Sequence, residues 1–330
     1  MISLPNQYTQ YKGYIAVAIT ALVVGTAFGV YLPVQSPIDP NGGAVYEHSS
    51  SYKFINPLLS CGDDKFSRIQ NGQVLNLQNE INSYIKAQQA NNSIDTASVY
   101  FRELNGGQFL TINSNLQFVP ASLLKVPLAM SVYQQAELNP KVLAQREFYQ
   151  TAFAPASEHF VAPTLAASTT YSVPELLTAM LTNSDNNAAL LLTHVISAAA
   201  LDQSYSDLGV IVPQDEQYTT TVTTYAGFFR VLYNATYLNH NDSEELLNLL
   251  SQSKFQDGIV AGLPADVTVA HKFGERGFND PAIPNQLHDC GIVYARNPYL
   301  VCIMTQGDDY NTLAGVIAHI SKMVYAYAGP

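Results

Sequence analysis

Apolar residues recur along this chain with two periods, and the switches between them mark its elements. Leu77, Ile81, Tyr84 and Ile85 return at three- and four-residue intervals, which predicts an amphipathic helix over residues 73–89. Residues 97–104 and 108–113 flank Asn105-Gly106-Gly107, the signature of two strands joined by a tight hairpin. Helical spacing returns over 122–138, 173–182, 187–200, 223–238 and 243–252. Strands follow at 267–272, 287–295 and 299–306, and a last helix at 311–327. A sheet interrupted by a helical insertion accounts for this order. Short connections make the sheet mainly antiparallel, because a parallel pair needs a long crossover. The expected class is α/β in the α+β sense. It is a mainly antiparallel five-stranded sheet, flanked by N- and C-terminal helices, with an inserted all-α subdomain.

One stretch is apolar all round. Tyr14–Leu32 holds nineteen mostly apolar residues, and about twenty helical residues span the hydrocarbon core of a bilayer. Lys12 is the only charge before it, Asp39 is the first after it, and Tyr14 and Tyr31 sit where interfacial aromatics belong. The run is long for a cleaved leader, and Gly25-Thr26-Ala27 is a poor cleavage site. The expectation is one transmembrane helix, with the amino terminus inside and the rest of the chain extracytoplasmic. Residues 33–57, with Pro33, Pro37, Pro40, Gly42, Gly43 and Pro57, read as a linker. The expected organisation is an anchor over 1–35, a linker over 36–70 and a globular domain over 71–330. Within that domain the α/β part is 71–119 and 255–330, and the all-α part is 120–254.

Composition narrows the functional classes. Charged residues make up 12 % of the 330, against an ordinary share of about 25 %. Lys and Arg total 15 against 26 Asp and Glu, a net charge of −11, which argues against a nucleic-acid partner. The three cysteines, Cys61, Cys290 and Cys302, form no CxxC framework or zinc site. Cys290 and Cys302 can face each other across a hairpin turning at Arg296-Asn297-Pro298, as a disulfide or as two buried thiols. The seven His residues show no metal-ligand spacing, and no cofactor motif is present.

The chemistry gathers around Ser122-Leu123-Leu124-Lys125. Phe118-Val119-Pro120-Ala121 starts a helix, so Ser122 falls in its first turn, where unpaired N–H groups favour developing negative charge. Lys125 lies one turn on, on the same face. Its neighbours are apolar all round, and a buried lysine loses proton affinity and can act as a base. A serine hydroxyl beside such a base is an activated nucleophile. The S-x-x-K spacing also occurs at Ser50/Lys53, Ser83/Lys86 and Ser251/Lys254, where a solvated helix or linker explains it. Only Ser122 has partners downstream. Ser184-Asp185-Asn186 follows by 62 residues and Lys272-Phe273-Gly274 by a further 88. A second hydroxyl and a carboxamide on one loop can relay a proton and hold an amide, although an ordinary helix cap uses the same residue types. A lysine at the end of the strand 267–272 can hold a carboxylate, and Gly274 lets a substrate backbone lie against the strand edge.

With these three elements in this order, the chain resembles the penicillin-recognising serine enzymes, and among them the class A β-lactamases, over about residues 73–327. The set S-x-x-K, S-D-N and K-T-G is that family's known signature. The resemblance implies a small-molecule β-lactam or a cell-wall peptide as substrate. Ser122 would form an acyl-enzyme with Lys125 as base, and Ser184 would pass a proton to the leaving nitrogen. Asn186 would hold the substrate's side-chain amide and Lys272 its carboxylate. The backbone N–H groups of Ser122 and Glu275 would form the oxyanion hole. Two departures stand out. Phe273 replaces the usual Thr or Ser, a loss that Arg276 would offset. No E-x-x-L-N lies in the short stretch from Gly209 to Thr219 that follows the S-D-N helix, which carries only Asp215 and Glu216. In class A enzymes that Glu activates the deacylating water. The expected activity is therefore acylation by a β-lactam or related amide followed by hydrolysis. The alternatives are a D-alanyl-D-alanine carboxypeptidase or penicillin-binding protein that deacylates slowly, and a binding module with a dead site.

Overall fold

The computed structural model describes residues 52–57, 72–105, 107–151, 159–160, 164–210, 218–277 and 284–328. The expected membrane segment Tyr14–Leu32, most of the expected linker, Cys61, Asp215 and Glu216 lie outside the described residues. Among the described residues no helix is long and apolar enough to cross a membrane.

The chain opens with α1 (Gly72–Ala90), which turns Val74, Leu77, Ile81 and Ile85 inward at helical spacing. Then come β1 (Thr96–Glu103) and β2 (Phe109–Ile112). A 3-10 turn (Ala121–Leu124) runs into α2 (Lys125–Leu138). A ribbon of β3 (Arg146–Tyr149) and β4 (Thr169–Ser172) leads to α3 (Val173–Thr182) and α4 (Asn186–Val195). Next are α5 (Ala198–Asp207), α6 (Val222–Tyr233) and α7 (His240–Leu250). The chain closes with β5 (Thr268–Arg276), β6 (Asn285–Tyr294), β7 (Tyr299–Gly307) and α8 (Tyr310–Ala328). The main sheet has the order β2-β1-β7-β6-β5, and every neighbouring pair is antiparallel. This is the expected five-stranded sheet with a helical insertion.

Each face of the sheet has its own core, because successive strand residues point to opposite sides. On one face Val99, Phe101, Val301 and Ile303 pack with the buried stripes of α1 and α8. On the other, Tyr100, Ala270, Ile292 and Met304 pack with the six inserted helices. Fully burying each large apolar side chain contributes roughly 1.5–3 kcal/mol, so the two cores fix the sheet from both sides. Cys290 and Cys302 are directly paired in register on β6 and β7 and form a disulfide, both fully buried. Of the two arrangements open from the sequence, the structure has the covalent one.

Three local differences have physical causes. The stretch expected as one helix over 187–200 is two, because Ile196 is extended and the Ser197 hydroxyl caps a new helix by accepting from the Ala200 N–H. The strand expected over 267–272 continues to Arg276, paired with β6 as far as Gln286, so Lys272 stands mid-strand rather than at its end. Part of the expected linker is packed. Glu244 on α7 accepts the N–H groups of Lys53, Phe54 and Ile55 at 2.7–2.9 Å. Phe54 and Ile55 are buried, the Asn56 N–H meets the Tyr233 carbonyl, and the Tyr294 hydroxyl donates to the Phe54 carbonyl.

Candidate active site

The nucleophile turn is built where the sheet meets the inserted helices. Ala121 has a φ of 49°, in the left-handed region, and the chain then winds through the 3-10 turn into α2. Ser122 and Lys125 are both buried, and Lys125 Nζ donates to Ser122 Oγ at 2.8 Å. The helical three-residue spacing therefore brings hydroxyl and amine into contact, as the S-x-x-K pattern implies. The Ser184 carbonyl, Ser184 Oγ at 3.1 Å and Asn186 Oδ1 at 2.6 Å also lie within hydrogen-bond reach of Nζ, one acceptor more than its three hydrogens can serve at once.

Ser184 comes from the junction of α3 and α4, with a φ of 57°. Asp185, between the two expected site residues, organises that junction. One of its oxygens accepts from Ala188 N–H and caps α4, and the other accepts from the Thr164 and Leu165 N–H groups and the Thr164 hydroxyl. Lys272 reaches the same place from β5. It is fully buried, and its Nζ donates to Ser184 Oγ at 2.8 Å and to the Phe273 carbonyl at 2.7 Å. The Ser184 hydroxyl thus lies between two lysine amines, a geometry that can pass a proton in either direction.

Gly274 is required by packing. A Cβ there would lie 2.7 Å from the Pro120 carbonyl oxygen and 3.1 Å from the Leu123 nitrogen, so the nucleophile turn rests directly on the backbone of β5. Phe273 points into the opposite core, stacked on Phe255 with ring centroids 4.2 Å apart, and supplies no hydroxyl to the site. Glu275 and exposed Arg276 continue β5 along a cleft of about 320 Å³, whose walls include Ser122, Leu124, Lys125, Leu128, Asn186, Ala189 and Tyr205. The Glu275 carboxylate accepts the Phe160 N–H at 3.3 Å. All eight residues expected at the site come together around this cleft or the turn beside it.

Sequence reasoning missed Tyr205, on α5. Burial pushes its hydroxyl up to about 12, with Tyr218 adding to the rise, so it is a neutral wall beside Ser122 and Lys125. It also missed Tyr225, whose fully buried hydroxyl donates to the Leu123 carbonyl at 2.9 Å. Neither belongs to a motif, and only helical periodicity marks them. Among the described residues no cluster of His, Cys, Asp or Glu is placed to hold a metal ion.

The sequence model of the beta-lactamase enzyme family matches residues 76–328. The structure of PBP-A is similar at 23 % identity and a TM-score of 0.62, over 76 % of this chain and 95 % of that one. TLA-1 extended-spectrum beta-lactamase is similar at 19 % identity and 0.65, over 76 % and 98 %. A beta-lactamase from Chitinophaga pinensis is similar at 21 % identity and 0.65, over 78 % and 100 %. These likenesses carry the fold, and the family match spans the nucleophile turn, the S-D-N loop and β5. This chain belongs to the beta-lactamase enzyme family.

Proposed function

We propose that the chain is a membrane-anchored, extracytoplasmic serine hydrolase of class A β-lactamase type, acylated on Ser122 by a β-lactam or a related amide. The observation that carries this reading is the convergence of Ser122, Lys125, Ser184 and Lys272, each within 3.1 Å of the next. Ser122 Oγ attacks the carbonyl as its proton passes to Lys125 in its neutral form, in which Nζ accepts from the Ser122 hydroxyl 2.8 Å away rather than donating to it. The tetrahedral oxyanion is held by the N–H groups of Ser122 and Glu275. The amide nitrogen leaves with a proton delivered through Ser184 Oγ, giving an ester on Ser122. Water then cleaves that ester and restores the serine. Lys272 and Arg276 bring positive charge to the substrate carboxylate, in place of the hydroxyl that Phe273 lacks. Asn186 holds the substrate's side-chain amide.

One observation favours slow deacylation, as in a penicillin-binding protein or D-alanyl-D-alanine carboxypeptidase. Beside Ser122 and Lys125 the described wall of Leu128, Ala189 and Tyr205 carries no carboxylate, and Glu275, the one carboxylate in the described lining of the cleft, accepts the Phe160 N–H. PBP-A, one of the similar structures, is also represented by a mutant acyl-enzyme complex with penicillin G.

Intact mass over time, with the full chain and a penicillin, tests the reading. The expected result is one adduct on Ser122 that is absent in Ser122→Ala. An adduct that clears as drug is consumed marks a β-lactamase, and one that persists marks a penicillin-binding enzyme. No adduct in the wild type, or an adduct retained in Ser122→Ala, overturns the assignment.

A further inference from the structure

The turn that carries Ser122 is gripped by two side chains that the acylation chemistry does not use. Val119, three residues before the nucleophile, gives its N–H to Gln286 Oε1 at 2.9 Å, and its carbonyl lies 3.0 Å from His288 Nε2. Gln286 and His288 are two apart on β6, so they share one face of the sheet. Their register partners on β5 are Arg276 and Gly274. The bare Gly274 leaves room for the Pro120–Leu123 backbone to settle on β5. From the neighbouring strand, Gln286 and His288 reach Val119.

The turn needs this hold. Ala121 sits at a φ of 49°, which costs a non-glycine residue of order 1–2 kcal/mol and persists only where the surroundings impose it. Phe118 exchanges both backbone hydrogen bonds with Thr220, at 2.9 and 2.8 Å, and its ring meets His288 edge-on at 5.4 Å. With Val119 also held at both its N–H and its C=O, two consecutive residues before the strained one have no freedom to swing. Burial lowers His288 to about 4, so at neutral pH it is the neutral imidazole. In the tautomer with hydrogen on Nε2 it donates to the Val119 carbonyl.

We propose that Gln286 and His288 are positioning residues for the nucleophile: by fixing both peptide groups of Val119 they set the placement of Ser122 Oγ against Lys125 Nζ. The proposal rests on the reading of Ser122 as the acylated residue. A displacement of about 1 Å at a reacting atom can cost on the order of a hundredfold in rate.

The test uses the full chain with Gln286→Leu, His288→Leu and His288→Gln. The glutamine amide can put an N–H where imidazole Nε2–H stands. The rate of penicillin adduct formation is read by intact mass, beside urea unfolding of the same samples. Both leucine variants are expected to acylate about ten- to a hundredfold more slowly while still forming the adduct on Ser122. His288→Gln is expected to stay near the wild-type rate. Leucine variants that unfold more easily but acylate at the wild-type rate overturn the proposal, because the two residues are then merely structural. A His288→Gln variant as slow as His288→Leu overturns it as well. If His288→Leu fails to fold, Gln286→Leu and His288→Gln decide. If the wild type takes no adduct, the reading of the site has failed instead. Crystal structures of the variants then decide the positioning role. A Ser122 Oγ to Lys125 Nζ distance still at 2.8 Å in the leucine variants refutes it.

Discussion

Two adjacent residues on β5, His271 and Lys272, are equally buried and point to opposite faces of the sheet. His271 enters the core beneath α8. Its Nδ1 lies 2.8 Å from Asp289 Oδ1, and the other Asp289 oxygen takes the Ile259 N–H at 2.9 Å. Phe255 and Phe273 close over that pair. Lys272 enters the other side, where its amine donates to the Phe273 carbonyl and to the Ser184 hydroxyl, itself in contact with Lys125 and one step from Ser122. Burial is the same, and the partners differ. A fixed carboxylate inside an apolar core makes a structural pair. A hydroxyl shared by two amines at the edge of a cleft makes a site where a proton can move. Burial of a charged group therefore does not mark function by itself.

The largest effect expected from this contrast is on stability. Asp289→Ala leaves the Ile259 N–H and the His271 ring without their acceptor in the core, and losing one partner of a buried pair costs about 3–5 kcal/mol. Urea unfolding measures it. Acylation of the folded fraction is expected to keep its rate, and a rate that falls a hundredfold in fully folded protein breaks the contrast.

Lys272→Met should do the reverse. Met fills a similar volume and leaves the Ser184 hydroxyl its contact with Lys125, so the loss of stability is expected to be smaller than for Asp289→Ala. Acylation by a β-lactam should fall about 10²- to 10³-fold, the cost of removing one group that holds developing or fixed charge in such a site. Rate measurements with equal folded concentrations separate the two. A variant that unfolds easily yet acylates normally would move Lys272 to the structural side.

Legibility in the sequence followed the range of the contacts. Ser122 and Lys125 were readable because one helical turn joins them, and Ser184, Asn186 and Lys272 because their neighbours repeat a known spacing. The sheet and most helices were readable from period alone. The hold on Val119 was not, since Gln286 and His288 lie more than 160 residues away and look like ordinary strand residues. The β3–β4 ribbon was too short to give a period, and Glu275-Arg276 made a continuing strand look finished. Residues 52–57 looked like linker because Pro57 and the polar flanks dominate their composition, while the group that fixes them, Glu244, is about 190 residues on.

That docked segment gives the mildest test of the contrast. Glu244 resembles Asp289 in kind, because backbone donors fixed in place occupy its carboxylate. It differs in setting, being only half-buried, so water can replace part of what a substitution removes. Hydrogen bonds to a charged acceptor contribute roughly 1.5–3 kcal/mol, and solvent access brings the net loss toward the lower end. Glu244→Ala is therefore expected to cost about 1–2 kcal/mol in urea unfolding, less than Asp289→Ala. Phe54 and Ile55 leave the surface of α6 and α7 with it, so limited proteolysis should cut near residue 54 sooner than in the wild type. The acylation rate should not change, because the segment is held by hydrogen bonds to Glu244 on α7, Tyr233 on α6 and Tyr294 on β6, away from the nucleophile turn and the S-D-N loop. If acylation slows along with the release of residues 52–57, the helical subdomain transmits strain from α7 to Ser122. The division of buried charges into structural and reactive would then have to be redrawn around that connection.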